Sequence, residues 1–343
     1  MKSFVSFAFF LVATTAVPAV PVLIAPKSDV PVSVSDSVPD SVSDSENITL
    51  REFVFKESSD KPYLVLDCET GQIDEVSVRD YVIGAVAAEM PASFEPEALK
   101  AQAVAAHTYA ERQRNIQNEN PDSALGNADF SDDPNKYQAF FTNEQIRQYF
   151  GDNYRTHYEK ISSAVDDVLD YILVYDDEPI IAAFHSMSSG ITESAENVWG
   201  TAVDYLIPVD SKSDISAPRY TDEVKITESF FKSRLEKVFD GVNLGDDPHK
   251  WIEIVDVSDS GTVLTAKAGD ITVTGSEIRD AFGLRSADFE ISFDGNDVVF
   301  TTHGFGHGVG MSQYGANSMA LEGKNWKQIL AHYYPNADLV SIE

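Results

Sequence analysis

Two helical patterns separated by a proline break constrain this chain more than any other feature. Ser77, followed three residues later by Asp80, is a start of the capping-box type. Apolar residues then recur at helical spacing. Met90 precedes Pro91, and a residue before proline is driven out of the α region. The sequence therefore predicts that the first helix ends at or just after Glu89.

The second helical pattern begins near Pro96. Proline suits the first turn of a helix, where its missing N–H has no intrahelical partner in any case. Apolar and mostly small residues then share one face of this helix: Leu99, Ala103, Ala106 and Ala110. A face of small side chains lets a neighbouring element approach closely, so we expect close packing along it.

Glu89 is the acid at the join between the two helices, on the same helix face as Tyr81 and Ala85. The unpaired carbonyls at a helix C-terminus disfavour an ionised carboxylate, and the neighbouring residues are apolar. Both effects predict a raised pKa for Glu89, as a general acid requires. The alternative interpretation is a solvated acid at a helix end, which is common in so acidic a chain.

The charge and cysteine content exclude several classes of protein. The formal net charge is −31 over 343 residues, which argues against a phosphate-binding surface and against docking of basic patches on anionic lipid. Cys68 is the sole cysteine. The chain therefore has no intrachain disulfide and no cysteine-rich zinc site.

The N-terminal segment predicts export. Phe4–Ala25 carries no charge and is long enough to span a bilayer. A cleaved signal peptide with an apolar region over Phe4–Val17 is the alternative. We therefore expect residues 1–25 to be a membrane anchor or signal peptide. Residues 26–49 are rich in Ser, Asp and Pro and predict a disordered linker between the membrane and the folded domain.

The pattern becomes globular after the linker, with helices and strands intermixed. Tyr171–Tyr175 and Pro179–Phe184, joined by Asp176 and Asp177, predict a β-hairpin. Asn115–Tyr137 is polar and contains two prolines and a glycine, so it predicts a long loop.

The expected fold class is α+β, with helices and antiparallel strands forming a central cleft. One domain would occupy residues 50–343. A run of helix and short strands over about residues 227–302 predicts a smaller inserted α+β lobe within it.

A glycine-rich stretch, HGFGHGVGMSQYGA, occupies His303–Ala316 between a predicted strand and a predicted helix. An anion-binding loop is one interpretation, but the motif lacks the Gly-Lys-Ser/Thr signature and the chain is very acidic. His303 and His307 could be metal ligands, although alternating glycines argue against the helix that such spacing needs. The remaining interpretation is a glycine-rich turn whose histidines bond to the backbone.

A second polar stretch, HSMSSG, follows the second strand of the predicted hairpin. Ser188 and Ser189 could donate hydrogen bonds to a polar ligand, or could simply form a turn at the strand end. The sequence has no G-x-S-x-G nucleophile motif around them.

Three motifs in this order resemble the stage II sporulation protein D family, which includes the amidase-enhancer proteins. The motifs are AVAAEMP, which contains Glu89, then EALKAQAVAAHTYA, then HGFGHGVGMSQYGA. The resemblance extends from about Ile48 to the C-terminus and includes the tail at Trp326–Asp338.

The resemblance implies a lytic transglycosylase that acts on peptidoglycan. Such an enzyme cleaves MurNAc–GlcNAc bonds in glycan strands whose stem peptides an amidase has removed, and leaves 1,6-anhydroMurNAc ends. The matching position makes Glu89 the catalytic acid. One carboxyl group suffices because the C6 hydroxyl of the substrate replaces the water that other glycosidases activate with a second carboxylate.

The resemblance and the motifs together suggest substrate-binding residues around Glu89. The candidates are His107, Ser188, Ser189, Tyr205, His303, His307 and Gln313. We expect no metal and no cofactor.

Three positions depart from the family pattern. Many members have arginine where this chain has His107, and lysine is common where this chain has Ile207. Some members bind zinc in the loop that matches Asp129–Phe140, which here contains neither cysteine nor histidine. These departures predict altered substrate contacts, or a member that binds without cleaving.

The family implies a setting as well as a reaction. The expected partners are peptidoglycan glycan strands, an amidase and a membrane protein of an engulfment complex, with no nucleic acid. The expected location is the cell membrane, with the catalytic domain outside the cytoplasm, in septal peptidoglycan degradation during sporulation. Two rival hypotheses are a non-catalytic amidase enhancer of the same fold and a metal-dependent hydrolase that uses His303 and His307.

Overall fold

The computed structural model describes residue 50, residues 52–55 and residues 61–342. The predicted anchor or signal peptide and the predicted linker lie outside the described residues. Within the described part, no helix is both long enough and apolar enough to cross a membrane.

The described residues contain nine α-helices. They are α1 (Val78–Glu89), α2 (Pro96–Glu119), α3 (Asn143–Phe150), α4 (Tyr154–Asp166), α5 (Ala195–Trp199), α6 (Glu228–Val238), α7 (Gly275–Phe282), α8 (Gln313–Leu321) and α9 (Trp326–Tyr333).

The same residues contain fifteen strands, several of them only two or three residues long. They are β1 (Glu52–Phe55), β2 (Tyr63–Leu66), β3 (Ile73–Val76), β4 (Phe130–Ser131), β5 (Tyr171–Tyr175), β6 (Glu178–Pro179), β7 (Phe184–His185), β8 (Thr221–Thr227), β9 (Ile252–Val257), β10 (Val263–Ala268), β11 (Ile271–Val273), β12 (Phe289–Asp294), β13 (Asp297–His303), β14 (Met311–Ser312) and β15 (Asp338–Ile342).

The strands form five small sheets, and most pairs are antiparallel. Their orders are β1-β15-β5-β6, β3-β2-β4, β11-β10-β9, β12-β13-β8 and β14-β7. Parallel pairing occurs between β1 and β15, β2 and β4, and β7 and β14. The predicted α+β class is confirmed, whereas the central cleft stays a prediction.

The apolar side chains form two large, separate cores. The larger core surrounds α1 and α2, and α2 also packs against α4, β5, α8 and α9. The small-residue face of α2 is fully buried there, as expected: the exposed fraction of Ala103, Ala106 and Ala110 is 1% or less. The second core contains Phe231 and Phe300 and lies within the stretch that the sequence set apart as a lobe.

The predicted start and end of α1 and the predicted start of α2 are confirmed. Ser77 Oγ accepts a hydrogen bond from Asp80 N at 3.1 Å, which caps α1. Met90, at φ −126° and ψ 136°, is extended, so α1 ends at Glu89. Pro96 is the first residue of α2.

The predicted hairpin is confirmed in its first strand and its turn. Asp176 and Asp177 both have positive φ, 52° and 65°, the geometry of a two-residue hairpin turn between β5 and β6. Only Glu178 and Pro179 form the second strand.

The long loop predicted from Asn115 is wrong in its first residues. Helix α2 continues to Glu119, because nothing breaks it until Pro121, and the N–H of Asn120 still bonds to Ile116 O at 2.8 Å. Polar residues on the exposed end of a long helix resemble a loop in composition.

Candidate active site

Glu89 is the last residue of α1, and its carboxyl group is largely enclosed by protein. Burial raises its pKa to about 7, in the predicted direction. The N–H of Ala139 donates to Glu89 Oε1 at 3.2 Å and partly opposes this rise, because it stabilises the ionised form. A carboxyl group with this pKa exchanges its proton readily near neutral pH.

Two phenols adjoin the Glu89 carboxylate and interact with it electrostatically: Tyr81 on α1 and Tyr109 on α2. Burial raises the pKa of both phenols, so both stay neutral. The N–H of Gln138 donates to the Tyr109 hydroxyl at 3.3 Å. Tyr81 shares its helix face with Glu89, as the sequence showed, but Tyr109 and Gln138 carried no signal that pointed to the acid.

Gln313, the first residue of α8, lies against α2. Its Nε2 is 3.4 Å from Gln102 Oε1, and both side chains are buried. Gln102 and Tyr109 are seven residues apart and so share one face of α2. The structure thus brings Gln313 to the α2 face that carries Tyr109.

His107 lies on a different side of α2. It is two residues from Tyr109, which places it about 200° around the helix axis. Its Nε2 is 3.8 Å from Glu111 Oε1, and Glu111 also accepts a hydrogen bond from Tyr63 at 2.6 Å. Burial, with the charge of Arg114, lowers the pKa of His107 to about 4, so its imidazole is neutral at neutral pH.

Ser188 and Ser189 follow β7 and use their hydroxyls within the fold. The N–H and the hydroxyl of Ser188 both donate to Asp214 Oδ2 at 2.7 Å. Asp214 is fully buried. Ser189 donates to the carbonyl of Ser260, beside the second core.

Tyr205 and His303 each contact another residue of the fold. The Tyr205 hydroxyl accepts a hydrogen bond from Ile181 N at 3.0 Å, and its side chain is buried. His303, at the end of β13, places Nδ1 3.4 Å from Asp288 Oδ1.

His307 bonds to the backbone, as one interpretation of the glycine-rich stretch held. Its Nδ1 accepts from Val309 N at 3.0 Å, and its ring centroid lies 5.8 Å from that of His185. His185 donates from Nδ1 to Val309 O at 3.1 Å. Burial lowers the pKa of His307, and the pKa of His185 to about 4. The sequence did not single out His185, although it directly follows a strand pattern.

The alternating glycines allow two backbone segments to lie in contact. A Cβ at Gly310 would lie 2.0 Å from Ala183 O, and a Cβ at Gly306 would lie 2.7 Å from His185 Cβ. Both glycines also have positive φ, 75° and 115°. The stretch therefore packs directly along β7 and the residues that follow it.

No three His, Cys, Asp or Glu side chains of the described residues are grouped so as to hold a metal ion. His303 and His307 have different contacts, with Asp288 and with Val309. Of the seven predicted substrate-binding residues, Gln313 contacts Gln102 on the α2 face that carries Tyr109, and His107 lies away from that face. The assignment of all seven to substrate binding stays a prediction.

Comparison with known proteins gives a match to one family model and similarity to several named relatives. The family model described as SpoIID, stage II sporulation protein, matches residues 67–175. Stage II sporulation protein D of Bacillus subtilis strain 168 is 39% identical over 267 residues, which cover 78% of this chain and 75% of that protein. The protein of the same name from Bacillus amyloliquefaciens matches equally. The amidase enhancer of Bacillus subtilis is 28% identical over 306 residues, covering 75% of this chain and 40% of that relative.

Proposed function

Because the chain belongs to the stage II sporulation protein D family, we propose that it is a lytic transglycosylase. It cleaves MurNAc–GlcNAc bonds in peptidoglycan glycan strands that lack stem peptides. The observation that carries the proposal is the enclosed carboxyl of Glu89 at the end of α1, with a pKa of about 7.

The reaction needs one group that first gives and then takes a proton. Protonated Glu89 donates its proton to the glycosidic oxygen as the bond to C1 of MurNAc breaks. The resulting carboxylate removes the proton of the C6 hydroxyl, whose oxygen bonds to C1 and closes the 1,6-anhydro ring. A pKa close to the working pH serves both steps. Within the described part of the chain, no second carboxyl group hydrogen-bonds to Glu89, and this route needs none.

Family membership and the N-terminal sequence support a proposed setting. An amidase would supply strands without stem peptides, and a membrane protein would hold the two enzymes together. Residues 1–25 would anchor or export the catalytic domain, which would degrade septal peptidoglycan during engulfment.

A glycan digest tests the proposal. Amidase-stripped strands are incubated with the wild-type protein, with Glu89→Gln and with Glu119→Gln, and the products are analysed by mass spectrometry. Glu119 is the control because it is also the last residue of a helix but is exposed. We expect 1,6-anhydroMurNAc ends from the wild type and from Glu119→Gln, and a loss of at least about a hundredfold in Glu89→Gln. Equal release by all three proteins would rule out Glu89 as the acid.

The similarity to an amidase enhancer supports a second candidate, a protein that stimulates an amidase without cleaving glycan. Under this hypothesis Glu89→Gln stimulates the amidase as well as the wild type does, and neither releases anhydro ends. The same three proteins, assayed with an amidase on intact peptidoglycan, separate the two candidates.

A further inference from the structure

A short segment, Gln138–Phe141, is attached to both helices beside Glu89. The N–H of Ala139 donates to Glu89 Oε1, and that of Gln138 donates to the Tyr109 hydroxyl. The Phe140 ring stacks on Tyr81, with centroids 5.1 Å apart and planes at 22°. Main-chain and aromatic contacts therefore hold this segment at the acid.

The segment packs directly against α1 at Gly84. The N–H of Phe141 donates to Gly84 O at 3.2 Å. A Cβ at Gly84 would lie 2.3 Å from Phe141 O and 2.5 Å from the Phe140 ring. Any larger residue at this position would displace the segment, so the absence of a side chain on α1 fixes where Ala139 lies.

We propose that Gln138–Phe141 is the positioning element of the acid, and that the Ala139 N–H decides which carboxyl oxygen carries the proton. In a protonated carboxyl group the carbonyl oxygen is the better acceptor, so an N–H directed at Oε1 favours the proton on Oε2. No group among the described residues donates to Oε2, which leaves that oxygen for the glycosidic bond. This inference rests on the proposed function, because it assigns the proton that the reaction transfers.

The hydrogen bond from the Ala139 N–H changes the pKa of Glu89 in one direction only. Among the described residues, the titratable groups that face the Glu89 carboxylate are the phenols of Tyr81 and Tyr109, both neutral. The Ala139 N–H stabilises the ionised carboxylate and so lowers its pKa against the effect of burial. Removal of this donor must therefore raise the pKa of Glu89 above about 7.

Ala139→Pro tests the inference directly, because proline has no N–H. Its matched control is Ala139→Ser, which keeps the donor. The pKa of Glu89 is measured by ¹³C NMR of its carboxyl carbon, with Glu89→Gln identifying the signal. We expect about 7 for wild type and Ala139→Ser, and a higher pKa for Ala139→Pro. Release of anhydro ends should fall roughly tenfold in Ala139→Pro, the effect of losing one hydrogen bond to a charged group. An unchanged titration in Ala139→Pro would overturn the inference.

Gly84→Ala provides an independent test if Ala139→Pro does not fold. The added Cβ displaces Phe140 and Phe141, which moves the Ala139 N–H away from Oε1 and also changes how the carboxyl group is enclosed. The pKa of Glu89 should therefore shift away from about 7. Gly275→Ala is the steric control, since its Cβ would lie 2.1 Å from Val263 O in the second core. A pKa of Glu89 that shifts equally in both variants, or in neither, would contradict the inference.

These titrations need no enzymatic activity. If the wild type releases no anhydro ends, the proposed function fails while the NMR result still decides whether Gln138–Phe141 positions the carboxyl group. If the wild type is active but Ala139→Pro titrates like Ala139→Ser, the inference alone fails.

Discussion

At the scale of single residues, the proposed chemistry rests on one carboxyl group. Glu89 was identifiable from sequence because Met90-Pro91 ends the helix directly after it. Tyr109 was not identifiable, since one aromatic residue in a long helix carries no local signature. Ala139 contributes only its main-chain N–H, and side-chain patterns cannot reveal such a donor. The sequence thus predicted the position of Glu89 at a helix end and its raised pKa, whereas the residues that contact its carboxyl group depend on tertiary packing.

The raised pKa of Glu89 predicts a pH-dependent stability. The folded chain holds this proton up to about pH 7, whereas the group ordinarily loses it near 4.5. The stability advantage is therefore full below pH 4.5 and is lost as pH rises through 7. The loss is up to about 3 kcal/mol, at about 1.4 kcal/mol for each pH unit.

Glu89→Gln removes this ionisation and keeps an oxygen for the Ala139 N–H. We expect the variant to be more stable than wild type at pH 8 and about equally stable at pH 4, as measured by chemical denaturation. A variant less stable than wild type at pH 8 would contradict the burial of an ionisable Glu89.

At the scale of elements, the glycine-rich stretch shows what local sequence can and cannot predict. The alternating glycines indicated close backbone approach or sharp turns, and both occur. The approaching partner, Ala183–Ser188, lies more than a hundred residues earlier in the chain, and no local pattern pairs the two. The same limit applies to α2. Its exposed polar end resembled a loop, because the composition of a segment does not show how far a helix continues.

Gly310→Ala measures the importance of this backbone contact. The added Cβ would lie 2.0 Å from Ala183 O, and φ is 75°. Gly323→Ala is the control, since its φ is 86° but its Cβ would meet nothing within 4 Å. We expect Gly323→Ala to lower the free energy of unfolding by about 1 kcal/mol and Gly310→Ala by at least about 3 kcal/mol. Equal losses would show that the contact with Ala183 is unimportant.

At the scale of the whole molecule, polar contacts connect the larger core to the second core. Glu193 is buried and accepts hydrogen bonds from the hydroxyls of Ser258 and Ser260, at the turn between β9 and β10. Burial alone would raise the pKa of Glu193, but these hydrogen bonds outweigh it and the pKa is lowered. Helix and strand patterns in the sequence predicted an inserted lobe, and that division stays a prediction. The sequence could not reveal that the Glu193 carboxylate bonds to Ser258 and Ser260.

Glu193→Ala should weaken this connection. The hydroxyls of Ser258 and Ser260 lose a charged acceptor, so we expect the free energy of unfolding to fall by about 2–3 kcal/mol at pH 7. Hydrogen exchange should accelerate in the turn at residues 258–262. Glu196→Ala, which removes an exposed acid of α5, is the control. Similar exchange in both variants would mean that Glu193 does not hold the turn.

In the proposed reaction a single acid, Glu89, drives ring closure by the substrate's own hydroxyl, without water as a nucleophile. Digestion of amidase-stripped glycan in ¹⁸O-labelled water, followed by mass spectrometry, tests this claim most directly. We predict that the wild-type protein releases 1,6-anhydroMurNAc ends without ¹⁸O. Reducing ends that carry ¹⁸O, or the absence of any cleavage, would contradict it.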